Sequence, residues 1–158
     1  LLWIDTAGAN FDEERDPVSR SLRNAGEARL IALLLARLKA EGVRPEQIGV
    51  ITPYSAQVAL LKATAPDVEV ASVNAFQGRE KDVILTSWVR SNDRGDVGFV
   101  ADGRRLTVAL SRARSLLIQV GDSATLGGQR RFAEQLETLA TLGALESVWE
   151  EPWSEARI

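Results

Sequence analysis

Cysteine, histidine and methionine are all missing from this chain of 158 residues. Without cysteine and histidine there is no thiol nucleophile, no disulfide framework and none of the usual zinc ligands. The longest apolar run, Leu30 to Ala36, has seven residues, against the roughly 20 that a membrane-crossing helix needs. No secretory signal stands at the start. The GxxxxGK[ST] phosphate loop does not occur, and no acidic strand stands out for magnesium; Gly121 and Asp122 follow a strand pattern without such a loop. A net charge of −3 supplies no general basic field of the kind that drives binding through counterion release. The arginines are grouped instead, as Arg104, Arg105, Arg112 and Arg114, then Arg130 and Arg131. A chain that lacks methionine and opens directly on an apolar strand is expected to be a domain excised from a larger protein.

What is present is an ordinary globular composition, 45% hydrophobic and 26% charged. Its length fits one domain that buries about two-thirds of its unfolded surface. We expect one unit over 1–158, with a core at 1–149 and a tail at 150–158. Strands are expected at Leu1–Asp5, Ile48–Thr52, Val68–Ser72, Val83–Val89 and Ser115–Val120, with a last one at Leu145–Trp149. Helices are expected at Asn24–Glu41, Ser55–Ala63 and Gln129–Leu142. In the first, Ile31, Leu34, Leu35 and Leu38 repeat at helical spacing and Gly42 suits the terminal cap. Gly8–Ser21 and Arg90–Ala101 read as polar loops. Strands alternating with helices imply an α/β fold with a mostly parallel sheet covered on both faces. The four tryptophans are scattered and read as packing residues.

Two stretches carry chemistry. SVNAFQGREKD (Ser72–Asp82) lies between two strands, and a loop leaving the carboxyl end of a parallel strand is where open α/β sheets bind ligands. Gly78 lets backbone approach a phosphate, and Glu80 accepts hydrogen bonds from hydroxyls; a solvated turn is the plainer alternative. GRRLTVALSRAR (Gly103–Arg114) reads as a helix capped by Asp102, with Leu106, Ala109 and Leu110 on its apolar face. Arg105 and Arg112, seven apart, share a side of it. Guanidinium groups suit bidentate contact with phosphate, although arginines on an amphipathic helix are also often merely solvated.

Together, VNAFQGREKDVIL and GRRLTVALSRAR resemble motifs V and VI of superfamily 1 helicases. The branch is that of the nonsense-mediated-decay helicase, and the likeness is nearest to the immunoglobulin-mu-binding helicase. ITPYSAQVALLK (Ile51–Lys62) is similar to motif IV, and LLWIDTAG and NAGEA (Asn24–Ala28) also match that branch. The resemblance runs to about Leu126. It implies the second of two RecA-like domains, a three-layer αβα unit that is cytoplasmic and inactive in isolation. ATP and Mg2+ would be bound mainly by the first domain, in the cleft between the two. Arg112 matches the motif VI arginine that stabilises charge on the transferring phosphoryl group. Glu80 matches the acid that binds ribose, with Gln77 and Gly78 beside it, and Tyr54 the aromatic that packs on adenine. Thr52, Pro53, Ser72 and Asn74 match positions along single-stranded DNA or RNA, with Arg90 and Asn92 as further contacts. The implied direction of travel is 5′ to 3′.

Two departures stand out. Ser55–Leu61 lacks the arginine that many relatives carry in motif IV, and Thr107 stands where asparagine is common. The alternative to a motor domain is a non-catalytic RecA-like module that binds nucleic acid or a partner. A phosphate-sensing receiver domain would need an acidic cluster that Asp5 alone does not form.

Overall fold

The computed structural model describes residues 1–150 and Trp153, those at 103–106 by backbone only. The strands are β1 (Leu2–Asp5), β2 (Glu14–Arg15), β3 (Leu22–Arg23), β4 (Ile48–Thr52), β5 (Glu69–Ser72), β6 (Lys81–Ser87), β7 (Ala113–Gly121) and β8 (Leu145–Ser147). The helices are α1 (Ala25–Ala40), α2 (Ser55–Thr64), α3 (Gly103–Leu110), α4 (Ser123–Leu126) and α5 (Arg130–Thr141). Six strands form one parallel sheet in the order β5-β4-β6-β7-β1-β8. β2, inside the segment Gly8–Ser21 expected to be a loop, pairs with β3 just beyond it as a separate antiparallel hairpin.

Strand alternation sorts the core into two faces. Ile4, Val50, Leu85 and Val120 point toward α1, which contributes Leu30, Ile31 and Leu34, and toward Leu61 of α2. On the other face, Ile51, Ile84 and Leu117 meet Val73 and Phe76, while Trp3 and Trp88 meet Phe132 and Leu139 of α5. Phe132 receives both indoles edge-on, at 6.1 and 5.1 Å between ring centres. The result is a RecA-like three-layer α/β fold. No helix among the described residues is long and apolar enough to cross a membrane.

The structure corrects several expectations. The arginine helix stops at Leu110, and β7 begins at Ala113 because that segment pairs with β6 from Lys81 onward. Arg112 therefore sits in the turn and Arg114 in a strand, so Arg112 does not share a helix with Arg105. The side chains of Arg104, Arg105 and Leu106 lie outside the described residues. β6 ends at Ser87, two residues before the expected Val89, which adopts φ +72°. Ser55 is the first residue of α2, as expected, and the helix runs to Thr64. Trp149 is exposed, with its indole N–H on the Ala7 carbonyl at 3.1 Å. Trp153, expected in the tail, packs under Arg37 and bonds Glu146 at 2.6 Å; the other residues past 150 lie outside the described residues.

Candidate nucleotide and nucleic-acid interface

The segment 73–80 must carry the chain from the end of β5 back to the start of β6, passing over β4. Phe76 pins it to the sheet. Its ring lies over Gly49, where a Cβ would come within 2.7 Å of the ring and 2.9 Å of Ile84. Only glycine leaves room for that approach. Gln77, Gly78 and Glu80 are then left exposed at the amino end of β6. Gly78 has φ +79° and open space around its Cβ position.

At this rim the two chemistry-bearing stretches join. The Lys81 N–H donates to the Arg112 carbonyl at 3.1 Å, which extends the β6–β7 pairing and sets Glu80 beside the turn that carries Arg112. Glu80 also meets Arg114, at 3.3 Å between side chains. The half-buried Arg112 donates through Nε to the Val108 carbonyl at 3.2 Å and through Nη2 to Ser111 Oγ at 2.8 Å. It is thus braced against the last turn of α3, where unpaired carbonyls favour a cation. An exposed carboxylate, an open glycine and a braced guanidinium on one rim fit the ribose and phosphate of a nucleotide. Among the described residues no three His, Cys, Asp or Glu side chains gather where they could hold a metal ion.

The strand-track candidates collect at the opposite, carboxyl rim of the sheet. Thr52 is level with Ser72 in the β4–β5 register. Thr52 is fully buried and its hydroxyl has no partner. Ser72 is half-buried, its Oγ accepting from the Ala75 N–H at 3.2 Å, and Asn74 is exposed. Pro53 is half-buried. Tyr54 is only 3% exposed, because Phe99, itself 44% exposed, covers its ring at 4.5 Å between centres. Burial pushes the Tyr54 phenol above its usual range, against a hydrogen bond from Arg90 that favours the phenolate.

Arg90 is 5% exposed and donates to Glu13 at 2.9 Å, to Asp96 at 3.0 Å and to the Tyr54 hydroxyl at 3.4 Å. Burial alone would lower its guanidinium, but the Tyr54 and Asp96 hydrogen bonds and the nearby Glu13 outweigh that and hold it above its ordinary value. Asn92 organises the following turn: its amide donates to Glu13 at 3.1 Å and to the Asp96 carbonyl at 2.9 Å.

Residues 1–124 match the protein family described as AAA domain. Mouse DNA-binding protein SMUBP-2 is 39% identical over 95% of this chain and 16% of its own length. The Saccharomyces cerevisiae DNA polymerase alpha-associated DNA helicase A is 42% identical over 80% of the chain and 20% of its own. The Drosophila melanogaster regulator of nonsense transcripts 1 homolog is 44% identical over 82% and 12%. The chain belongs to the superfamily 1 helicases, in the nonsense-mediated-decay-like branch. It spans 12 to 20% of the length of these relatives.

Sequence reasoning missed several partners in this helicase chain. Glu13 meets Arg90 across 77 residues of sequence, and no local pattern marks such a pair. Asp96 and Phe99 fall in a segment read only as a polar loop. The NAGEA stretch matched the family without a role. In the fold Asn24 caps α1, its side chain accepting from the Glu27 N–H, and Glu27 reaches the end of β6.

Proposed function

We propose that this chain is the second RecA-like motor domain of an ATP-dependent superfamily 1 helicase or translocase. It supplies an arginine finger, Arg112, and part of a single-strand track. The supporting observation is the Lys81–Arg112 backbone bond, which gathers the ribose acid Glu80 and the finger on one rim while Ser72 and Asn74 occupy the other. ATP, held mainly by a first RecA-like domain with its Mg2+, supplies the phosphoryl group whose transfer releases the energy for movement. Glu80 accepts from ribose hydroxyls, and Gly78 leaves backbone open to the nucleotide. Arg112 places a fixed positive charge where negative charge develops, an effect worth roughly 10³–10⁵ in rate where an arginine finger is present. With no arginine at 55–61, the γ-phosphate depends more heavily on Arg112.

On the other rim, Ser72 and Asn74 reach a strand phosphate with side chains, and Thr52 and Pro53 line the track by backbone. Tyr54, covered by Phe99 on this strand-track rim, lies across the sheet from Glu80 and Arg112 and is left out of the proposed nucleotide contacts. Single-stranded DNA or RNA is the partner, as the names of the relatives support, and we place the protein in the cytoplasm on the family resemblance. In isolation this domain lacks the phosphate cradle and turns over no ATP.

The test is ATP hydrolysis by the intact protein with and without single strands, with strand binding measured separately. Strand-stimulated turnover is expected. Strand binding without turnover identifies a non-catalytic RecA-like module instead.

A further inference from the structure

Resting on that reading, we propose that Arg90 is a positioning residue that couples the strand-track segment Thr52–Tyr54 to the arginine-bearing turn, and does not itself contact the strand. It would transmit strand occupancy to Arg112.

A residue that neutralises strand phosphates needs its guanidinium at the surface, whereas the Arg90 side chain is enclosed and its nitrogens are engaged by Glu13, Asp96 and Tyr54. Those three partners lie on three different segments. Tyr54 directly follows Thr52 and Pro53 and immediately precedes α2. Glu13 belongs to the segment before the β2–β3 hairpin, and it also receives the Ser91 N–H at 2.9 Å and the Asn92 amide at 3.1 Å. Asp96 lies in the loop that leads to α3.

From Arg90 the contacts continue toward Arg112. Gly98 lies against the guanidinium, and a Cβ there would collide with it. Phe99, the next residue, caps the Tyr54 ring. Val100 is buried in the same cluster as Tyr54 and Ala109. The Ala109 carbonyl in turn receives the Arg112 N–H at 3.5 Å. A displacement of Thr52–Tyr54 by a bound strand therefore has an unbroken packed route to the finger.

The direction in which Arg90 leaves the sheet is itself enforced. Val89 is β-branched yet sits at φ +72°, a conformation such residues rarely adopt. Both of its backbone groups are gripped by the first turn of α1. Its N–H donates to the Glu27 carboxyl at 3.0 and 3.1 Å, and its carbonyl accepts from the Asn24 amide at 3.1 Å. Glu27 also bonds Ser87 at 2.6 Å, and Ser87 bonds Gln57 of α2 at 3.0 Å. Without this grip β6 would run on extended, and Arg90 would point elsewhere.

The experiment uses the intact protein, comparing wild type, Arg90→Ala, Arg90→Lys, Tyr54→Phe and the Arg90→Ala/Tyr54→Phe pair. It measures maximal strand-stimulated ATPase, the half-saturating strand concentration, and the dependence of strand affinity on salt. Arg90→Ala is expected to lower the maximal rate about tenfold, inside the range of known coupling between sites. Strand affinity should stay within about twofold with an unchanged salt slope. Lysine should recover part of the rate, and the double variant should lose less than the product of the single losses.

A strand affinity that falls, with the salt slope reduced by about one, makes Arg90 a phosphate contact and overturns the proposal. Unchanged rates in both Arg90→Ala and Tyr54→Phe overturn it as well. Should Arg90→Ala fail to fold, Tyr54→Phe, which removes one bond to Arg90, and Asp96→Asn, which removes the charge facing it, carry the same comparison. Arg112→Ala run in parallel separates the two claims: wild-type turnover abolished by Arg112→Ala but untouched by the Arg90 series leaves the motor reading intact and removes only the coupling.

Discussion

The backbone N–H of Lys81 donates to the carbonyl of Arg112 at 3.1 Å. Through this bond the residue after Glu80 is fixed to Arg112 itself, so Glu80 and Arg112, proposed as ribose acid and finger, cannot drift apart without breaking β6–β7 pairing. We predict that the intact protein discriminates against 2′-deoxy-ATP and that Glu80→Ala abolishes the discrimination. The KM for ATP should rise about tenfold, the scale of one hydrogen bond to a charged acceptor. Steady-state kinetics with both nucleotides read this out.

Glu27 offers a pH signature. Burial raises its carboxyl from 4.5 to about 8, against the Ser87 and Val89 hydrogen bonds that favour the charged form. The folded state therefore holds a proton that the unfolded state releases between pH 4.5 and 8. Stability from this group is complete below about 4.5 and declines as pH rises to about 8. Glutamine imitates the neutral acid, donating to Ser87 and accepting from Val89. The wild type minus Glu27→Gln stability difference, from urea unfolding, should fall across that window. Glu27→Ala should cost about 1–3 kcal/mol by stranding buried partners.

The parts of this architecture legible in the sequence are those written in local periodicity. Ile31, Leu34, Leu35 and Leu38 announce α1, and the apolar runs at Ile48–Thr52 and Val83–Val89 announce β4 and, two residues too far, β6. Gln77, Gly78 and Glu80 are exposed in the structure, and the resemblance located them because motif V is a contiguous stretch. What escaped was set by distant partners. The arginine helix ends early because strand pairing with Lys81 captures Ala113. Residue Tyr54 is buried because Phe99, 45 positions on in the sequence, covers it. Arg90 turns inward because Glu13 and Asp96 await it and because α1 holds Val89 out of extended geometry. The two-residue strands β2 and β3 carry no pattern long enough to register.

Gly49 should tolerate no side chain. A Cβ there meets the Phe76 ring at 2.7 Å and Ile84 at 2.9 Å, so Gly49→Ala should cost about 1–3 kcal/mol as overpacking and lift the 73–80 segment off the sheet. Thermal unfolding gives the first quantity. Susceptibility to limited proteolysis near Arg79 gives the second.

Thr52 and Asn74 distinguish backbone from side-chain contact on the proposed track. The Thr52 hydroxyl is buried without a partner, so Thr52→Val should leave strand affinity unchanged and stability equal or higher by up to about 1 kcal/mol. The Asn74 side chain is exposed, and Asn74→Ala should weaken binding several-fold. Fluorescence anisotropy with a labelled single strand compares them directly.

The central claim is that Arg112 completes a nucleotide site shared with a first motor domain. The most direct test is single-strand-stimulated ATPase of the intact protein, wild type against Arg112→Ala, with ATP affinity measured alongside. A loss of roughly 10³-fold or more in kcat with ATP still bound is the predicted result. Turnover unchanged in Arg112→Ala would contradict the finger assignment.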